Sequence, residues 1–399
     1  MSQNNSLYPL PDGFRCSGVI AGIKEDASRK DLGLIVTDRP ALLGAVYTQN
    51  RFPSAHVRYC RELTPSDAFR ALIVNSGNAN AATGKKGEEA NRAMVDLLAG
   101  ELELAPESVF TSSTGIIGRP FPIDIVASAM KPLVSQLEPD CSAVAEAILT
   151  TDTRLKRATE TVNIQGNDYR VTGFAKGSGM IHPHMATMLA YILTDAPLPF
   201  SDIQAITQRI CDSSFNCISV DGDTSTNDSF YLIGSHRVER LTDEELGMVE
   251  SAVRSVAISL AKQIAADGEG AEHLIEVVVK SGPDEAVTRE VLHAILNSNL
   301  VKTAVHGKDP NWGRLLMAAG NGLARSGVDA ANPISIIIQD TPVLVRGEPA
   351  AFDESDLSEK MGAEQVTIIV DLHGGSHVLT GWGCDLTNEY IHINADYTT

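Results

Sequence analysis

The sequence predicts an α+β protein, and three observations carry that reading. Short apolar runs alternate with amphipathic stretches along the whole chain, the pattern of mixed strand and helix. The 399 residues are 43% hydrophobic and 21% charged, an ordinary globular composition with enough chain for one large core or two domains. Thirty-two glycines and only 5% aromatic residues point to many tight turns around small and branched aliphatic side chains.

The elements follow in order. Residues 71–75 (ALIVN) read as a buried strand, and a Gly/Asn turn leads from it into a helix with Ala90, Ala93, Met94, Leu97 and Leu98 on its apolar face. Ser201 with Gln204 predicts a capping box that opens a helix running to about Asp212. Thr242 with Glu245 predicts a second box. Leu246, Val249, Val253, Val256, Leu260 and Ile264 then recur at spacings of three and four, a strong helical signal. That helix stops at the Asp-Gly-Glu-Gly of residues 267–270. A strand at 274–279, a helix at about 289–297 and strands around 334–338 and 366–370 complete the pattern. The turn-rich stretch 280–284 (KSGPD) predicts a domain boundary. The chain has no internal repeat and no low-complexity tract.

Charge and cysteine usage exclude several function classes. Lys+Arg 32 against Asp+Glu 51 gives a net charge of −19, which repels nucleic acid and anionic membranes alike. No apolar stretch approaches the roughly 18–20 residues needed to span a bilayer. The six cysteines, Cys16, Cys60, Cys141, Cys211, Cys217 and Cys384, form no CxxC pair and read as buried or free thiols in a reducing compartment. Residues 1–16 show no basic segment followed by an apolar one, so no secretory signal is expected and the protein is expected in the cytoplasm.

Several segments could carry chemistry. Residues 176–187 (KGSGMIHPHMAT) form a Gly- and Pro-rich loop running straight into the apolar stretch MLAYIL. Taken locally, this is a glycine loop feeding a core strand with a capping threonine. It also suits a threonine that attacks the peptide bond before it and becomes a new N-terminal residue. Its freed α-amine then acts as base for its own hydroxyl. An α-amine with a pKa of about 7.7–8.0 is partly unprotonated at neutral pH, whereas a mid-chain threonine has no base of its own. Residues 111–118 (TSSTGIIG) are either a solvated turn or a corner presenting a hydroxyl and an N–H to one point, as an oxyanion requires.

Other look-alikes fail. Residues 221–228 (DGDTSTND) resemble a calcium loop, but Thr226 stands where Gly is needed and Leu232 where Glu is needed, so they read as a structured polar loop near a site. Residues 77–85 (GNANAATGK) imitate a phosphate loop with spacing two residues too long, and Lys86 follows where Ser or Thr should. His182 and His184 have no carboxylate spaced to join them as metal ligands on one element, so they read as loop histidines. Residues 309–314 (DPNWGR) are a compact turn into a helix.

Together these segments resemble the ornithine acetyltransferase family, the glutamate N-acetyltransferases of arginine biosynthesis. The matching pieces run in order: STGIIG at 113–118, TTDT at 150–153, KGSGMIHPHMATML at 176–189 and SVDGDTSTND at 219–228. DGEGA at 267–271, VKTAVHGKDPNWGR at 301–314 and INADYTT at 393–399 complete the series. The resemblance covers almost the whole chain. It implies self-cleavage between Ala186 and Thr187, giving an α chain (1–186) and a β chain (187–399) that stay together as an α2β2 heterotetramer. Thr187 would be the nucleophile, and Thr114 and Gly115 the oxyanion pair. Thr150, Lys176, Thr187, Glu269, Asn394 and Thr399 would contact substrate, with Thr150 preferred to Thr151.

The fold it implies is a four-layer α/β/β/α sandwich resembling, but topologically distinct from, that of the N-terminal nucleophile hydrolases. The sandwich would take in about 1–282, and a smaller C-terminal α/β domain 283–399. The implied activity is acetyl transfer from N2-acetylornithine to glutamate through an acetyl-threonine. The resemblance implies no cofactor and no metal, and acetyl-CoA enters only as a further acetyl donor. Two other readings compete: an N-terminal-nucleophile amidase or aminopeptidase with water as acceptor, and an uncleaved small-molecule-binding protein.

Overall fold

The computed structural model describes residues 8–182, 188–328 and 332–396. Its strands are β1 (Phe14–Val19), β2 (Leu32–Tyr47), β3 (Ser66–Asn78), β4 (Val109–Ile116), β5 (Lys156–Ile164) and β6 (Asn167–Lys176). β7 (Leu189–Pro199), β8 (Ile218–Ser219), β9 (Ser229–Val238) and β10 (Leu274–Gly282) follow. β11 (Ser335–Ile338), β12 (Thr341–Val345), β13 (Glu348–Pro349), β14 (Gln365–Asp371) and β15 (His377–Cys384) close the series. The helices are α1 (Ala55–Glu62), α2 (Gly84–Leu102), α3 (Ile123–Ser135), α4 (Ser142–Ala147) and α5 (Phe200–Asp212). α6 (Asp243–Ala266), α7 (Glu285–Leu296), α8 (Asn299–His306), α9 (Trp312–Arg325), α10 (Glu354–Lys360) and α11 (Asn388–Asp396) complete them. The α+β class is that of the sequence reading. No helix of the described residues is long and apolar enough to cross a membrane.

The first sheet has the order β4-β3-β2-β9-β7-β6-β5, with β1 on β2. β2 is the joint. Its first half pairs with β1 and β3, its second half with β9, and the register shifts between Val36 and Ala41 where Asp38, Arg39 and Pro40 are exposed. Side chains from both halves meet in one buried cluster: Leu72, Val74 and Phe110 with Phe174, Tyr191 and Tyr231. Tyr191 and Tyr231 stack at 5.5 Å, and the Tyr231 hydroxyl donates to Thr111 O at 3.3 Å. Helices α2 and α3 bury Met94, Val95, Leu98, Val126 and Leu133 against Leu34, Ile73 and Val109 of the first half. On the second half, α5 and α6 bury Ile203, Ile206, Val253, Val256 and Leu260 with Val171, Ile192 and Leu232.

The second sheet has the order β13-β12-β11-β14-β10-β15-β8, with α7 and α9 packed beside it. Helix α6 contacts strands of both sheets. Its predicted capping box is formed: Thr242 Oγ accepts from Glu245 N, and Glu245 returns a bond to the Thr242 N–H.

Three local expectations differ from the structure. No capping box forms at Ser201. Its hydroxyl bonds Asp202, while the Gln204 side chain bonds the Ala45 backbone in both directions, because docking α5 on β2 satisfies a strand group. In α2 the buried face is Gly87, Asn91, Met94, Val95, Leu98 and Ala99, with Leu97 exposed. Helix rotation followed the covering helix and sheet rather than the largest apolar count. Finally, α7 begins at Glu285 with Asp284 as its cap, so residues 280–284 join β10 to α7, and β10 itself lies inside the second sheet.

Candidate active site

A cavity of about 330 Å³ gathers Thr114, Gly115, Thr150, Lys176, Glu269 and Asn394 on one wall system. These positions span from β4 to α11 in sequence. The expected cleavage pair Ala186–Thr187 and the expected contact Thr399 lie outside the described residues.

The glycine corner is built by backbone approach. β3 and β4 run parallel, and their pairing becomes irregular where Gly77 meets Gly115 and Asn78 meets Thr114 and Ile116. Gly115 has φ +129°, and a Cβ there would lie 2.4 Å from the Gly77 carbonyl carbon. Only glycine lets the two chains come this close. Thr114 is buried beside it. The Asn227 amide donates to Ser113 O at 2.7 Å and Ala79 O at 2.6 Å, fastening the polar loop 221–228 to the corner.

Lys176 ends β6 with its side chain 2% exposed. Its ammonium is 4.0 Å from Asp152 Oδ2. Asp152 accepts from Lys156 Nζ at 2.6 Å, Gly177 N at 2.7 Å and Thr150 N at 3.1 Å. Lys156 Nζ also donates to Asp267 Oδ2 at 2.5 Å, and Asp267 takes the Thr153 N–H and hydroxyl. Signs therefore alternate from Lys176 through Asp152 and Lys156 to Asp267. A buried pair is tolerable only when its remaining donors and acceptors are met, as here.

Burial pushes the Asp152 carboxyl up, but Lys176, Lys156 and the Gly177 N–H hold it well below the usual carboxylate range. For Lys176, burial outweighs the help of Asp152, Glu269 and Asp228 and the repulsion of Lys156 adds to it, so its pKa falls below the ordinary lysine value.

The opposite wall is acidic. Glu269 donates its N–H to Ser178 O at 2.8 Å, and Ser178 Oγ bonds Thr151 Oγ at 2.7 Å. The Glu269 carboxylate sits directly on Gly179, where a Cβ would come within 2.4 Å of it. Asn394 Nδ2 donates to Glu269 Oε2 at 2.9 Å from α11, and Tyr390 on the same helix donates to Asp221 Oδ2 at 3.4 Å. Burial raises the Asp221 carboxyl against three backbone N–H bonds that lower it. Asp228, fully buried, accepts from Met188 N at 2.9 Å, and burial raises its carboxyl well above the ordinary value. Thr150 and Thr151 both line the cavity; the Thr151 hydroxyl is engaged by Ser178.

Sequence reasoning placed the polar loop 221–228 near a site without roles for Asp221, Asn227 and Asp228, and missed Asp152, Lys156, Asp267 and Tyr390. Five of them stand inside the quoted motifs, where a buried carboxylate or amide gives no signal separate from a surface turn. Lys156 and Tyr390 stand outside every motif.

A cavity lined, among the described residues, by Lys176 together with Asp221, Asp223 and Glu269 suits a small substrate that carries both signs of charge. With the fold, this suits an enzyme that acts on a small charged molecule. The ArgJ family model matches residues 15–399, and the chain belongs to that family. "Arginine biosynthesis bifunctional protein ArgJ" of Thermus thermophilus is 44% identical over 391 residues, covering 98% of this chain and 99% of its own. The protein of the same name from Oceanobacillus iheyensis is 42% identical over 401 residues, covering 99% and 97%. The crystal structure of ornithine acetyltransferase complexed with ornithine from Mycobacterium tuberculosis is 31% identical, with a TM-score of 0.42. That match covers 45% of this chain and 96% of the other.

Proposed function

We propose that this cavity transfers an acetyl group from N2-acetylornithine to glutamate, releasing ornithine and N-acetylglutamate. As an ArgJ family member the chain is an acyltransferase of arginine biosynthesis, a glutamate N-acetyltransferase. The observation that carries the site assignment is the meeting of Thr114, Gly115, Thr150, Lys176, Glu269 and Asn394 in one cavity.

In this reading the chain cleaves itself between Ala186 and Thr187, and the new α-amine of Thr187 is the base. Thr187 Oγ loses its proton to that amine and attacks the acetyl carbonyl, while Thr114 Oγ and Gly115 N–H stabilise the oxyanion. Collapse breaks the C–N bond, and the ammonium returns the proton to the departing α-amine of ornithine. Glutamate's amine then attacks the acetyl ester, and the Thr187 hydroxyl is regained. Lys176 holds the substrate α-carboxylate. Glu269, oriented by Asn394, holds the side-chain ammonium, and the carboxylate of Thr399 adds to it.

Acetyl-CoA as a second donor fits the word "bifunctional" in the relatives' names. The two sheet halves sharing a buried cluster, with helices on each outer side, support a four-layer α/β/β/α sandwich followed by a smaller C-terminal α/β unit. The two fragments assemble as α2β2, without nucleic acid or membrane, in the cytoplasm. Six buried cysteines with no disulfide between them among the described residues suit that reducing compartment.

The test is ornithine release from N2-acetylornithine with and without glutamate. Release that rises with glutamate and yields N-acetylglutamate supports acetyl transfer. Equal release into acetate and ornithine without glutamate makes the chain an amidase with water as acceptor.

A further inference from the structure

Outside the cavity, Glu272, His273 and Asp385 each bring one donor atom to within 4.8 Å of the others. They meet where the turn after Glu269 touches the end of β15. The N–H groups of Glu272 and His273 donate to Asp385 Oδ1 at 2.9 and 3.0 Å, and the Asp385 N–H donates to His273 O at 3.2 Å. Asp385 Oδ2 is left facing His306 Nδ1 at 3.3 Å, and the same nitrogen is 3.7 Å from Glu272 Oε2. His273 and Asp385 are 6% and 3% exposed.

One bond from outside the cluster sets its chemistry. His273 Nδ1 lies 2.8 Å from the Ala363 carbonyl oxygen. A carbonyl oxygen only accepts, so Nδ1 carries the proton and Nε2 keeps its lone pair. An imidazole whose Nδ1–H is held by a backbone carbonyl binds a metal through Nε2.

We propose that Glu272, His273 and Asp385, with His306 as a fourth donor beside them, form a divalent transition-metal site of the zinc type. Imidazole with carboxylate oxygen suits zinc, and two anionic ligands neutralise its charge. Tetrahedral ligand bonds of about 2.0–2.2 Å set donors roughly 3.3–3.6 Å apart, so closing on an ion asks side-chain adjustments of about 1 Å. The role is structural. Thr387, two residues after Asp385, donates to Gly270 O at 2.7 Å and accepts the Glu389 and Tyr390 N–H groups that start α11. The ion fastens residues 269–273 to residues 385–388, the two segments from which Glu269 and Asn394 reach the cavity.

The test uses untagged full-length protein, stripped by chelator and titrated calorimetrically with zinc chloride. Wild type takes up one equivalent with Kd about 1 μM or tighter, and its melting temperature rises with zinc. E272A, changed at an exposed side chain that leaves the fold intact, and H273Q each weaken binding by about tenfold or more and lose the zinc-dependent rise. Absence of a one-equivalent site in wild type, or the same affinity in both variants, overturns the proposal and leaves only the His306–Asp385 contact.

Discussion

Gly115 and Lys176 show how single residues set the site. The first is required by backbone approach: its φ is positive and Gly77 fills the space where a side chain would start. The second is a buried lysine beside Asp152, with Lys156 and Asp267 behind it. The neighbouring hydroxyl makes a sharp prediction. T114V keeps the shape of a buried side chain and removes one oxyanion donor. It should lower kcat about 10²- to 10³-fold, with the fragments and KM for N2-acetylornithine little changed. The acidic wall predicts the opposite split. E269Q removes the charge that Asn394 orients, so KM for N2-acetylornithine should rise roughly 10- to 100-fold, the range of about 1.5–3 kcal/mol for a charge-assisted hydrogen bond. A variant with unchanged KM would take Glu269 out of the substrate contacts.

At the scale of elements, legibility followed how local each signal is. The Thr242–Glu245 box and the α6 stripe are contained within a few residues, and both formed as the spacing predicts. T242A should therefore destabilise the fold by about 1 kcal/mol, read from denaturant unfolding. The Ser201–Gln204 pair has the same spacing but lies against β2, and tertiary bonding of Gln204 to Ala45 overrides the local motif. Burial of α2 was likewise decided by α3 and the sheet, which the count of apolar residues on one face does not contain. The KSGPD break was visible as a turn. Whether such a turn separates domains or joins β10 to α7 depends on strand pairing far along the chain, with β14 and β15.

For the whole molecule, what could not be read locally is long-range convergence. Asp152, Asp267 and Lys156 become one network only after β5, β6 and the end of α6 are packed together. The quoted motifs are the places where that network surfaces in the sequence, which is why their order along the chain carried more than any one of them.

Burial also writes itself into pH dependence. His56 lies in the core between Ser54 Oγ at 2.9 Å and Ser229 Oγ at 3.2 Å, and burial lowers its pKa to about 3. The unfolded chain takes up this proton below its ordinary value of about 6.5, while the folded chain does so only near 3. The contribution of His56 is thus full above pH 6.5 and is lost as pH falls toward 3. Buried Asp221 and Asp228, raised in the fold, titrate with the opposite sign, so the comparison with H56Q isolates the histidine. The stability difference between wild type and H56Q should change by about 1.4 kcal/mol per pH unit below 6.5 and stay flat above it.

The central claim is a self-released threonine that carries the acetyl group. It is tested most directly by a denaturing intact-mass spectrum, taken before and after adding N2-acetylornithine without glutamate. Cleavage before Thr187 divides the 399-residue, 42.6 kDa chain into 186 and 213 residues, about 20 and 23 kDa by proportion. The account predicts those two masses, with the larger gaining about 42 Da on addition of the acetyl donor and losing it when glutamate follows. A single 42.6 kDa species, or a pair of fragments that never gains the acetyl mass, would contradict it.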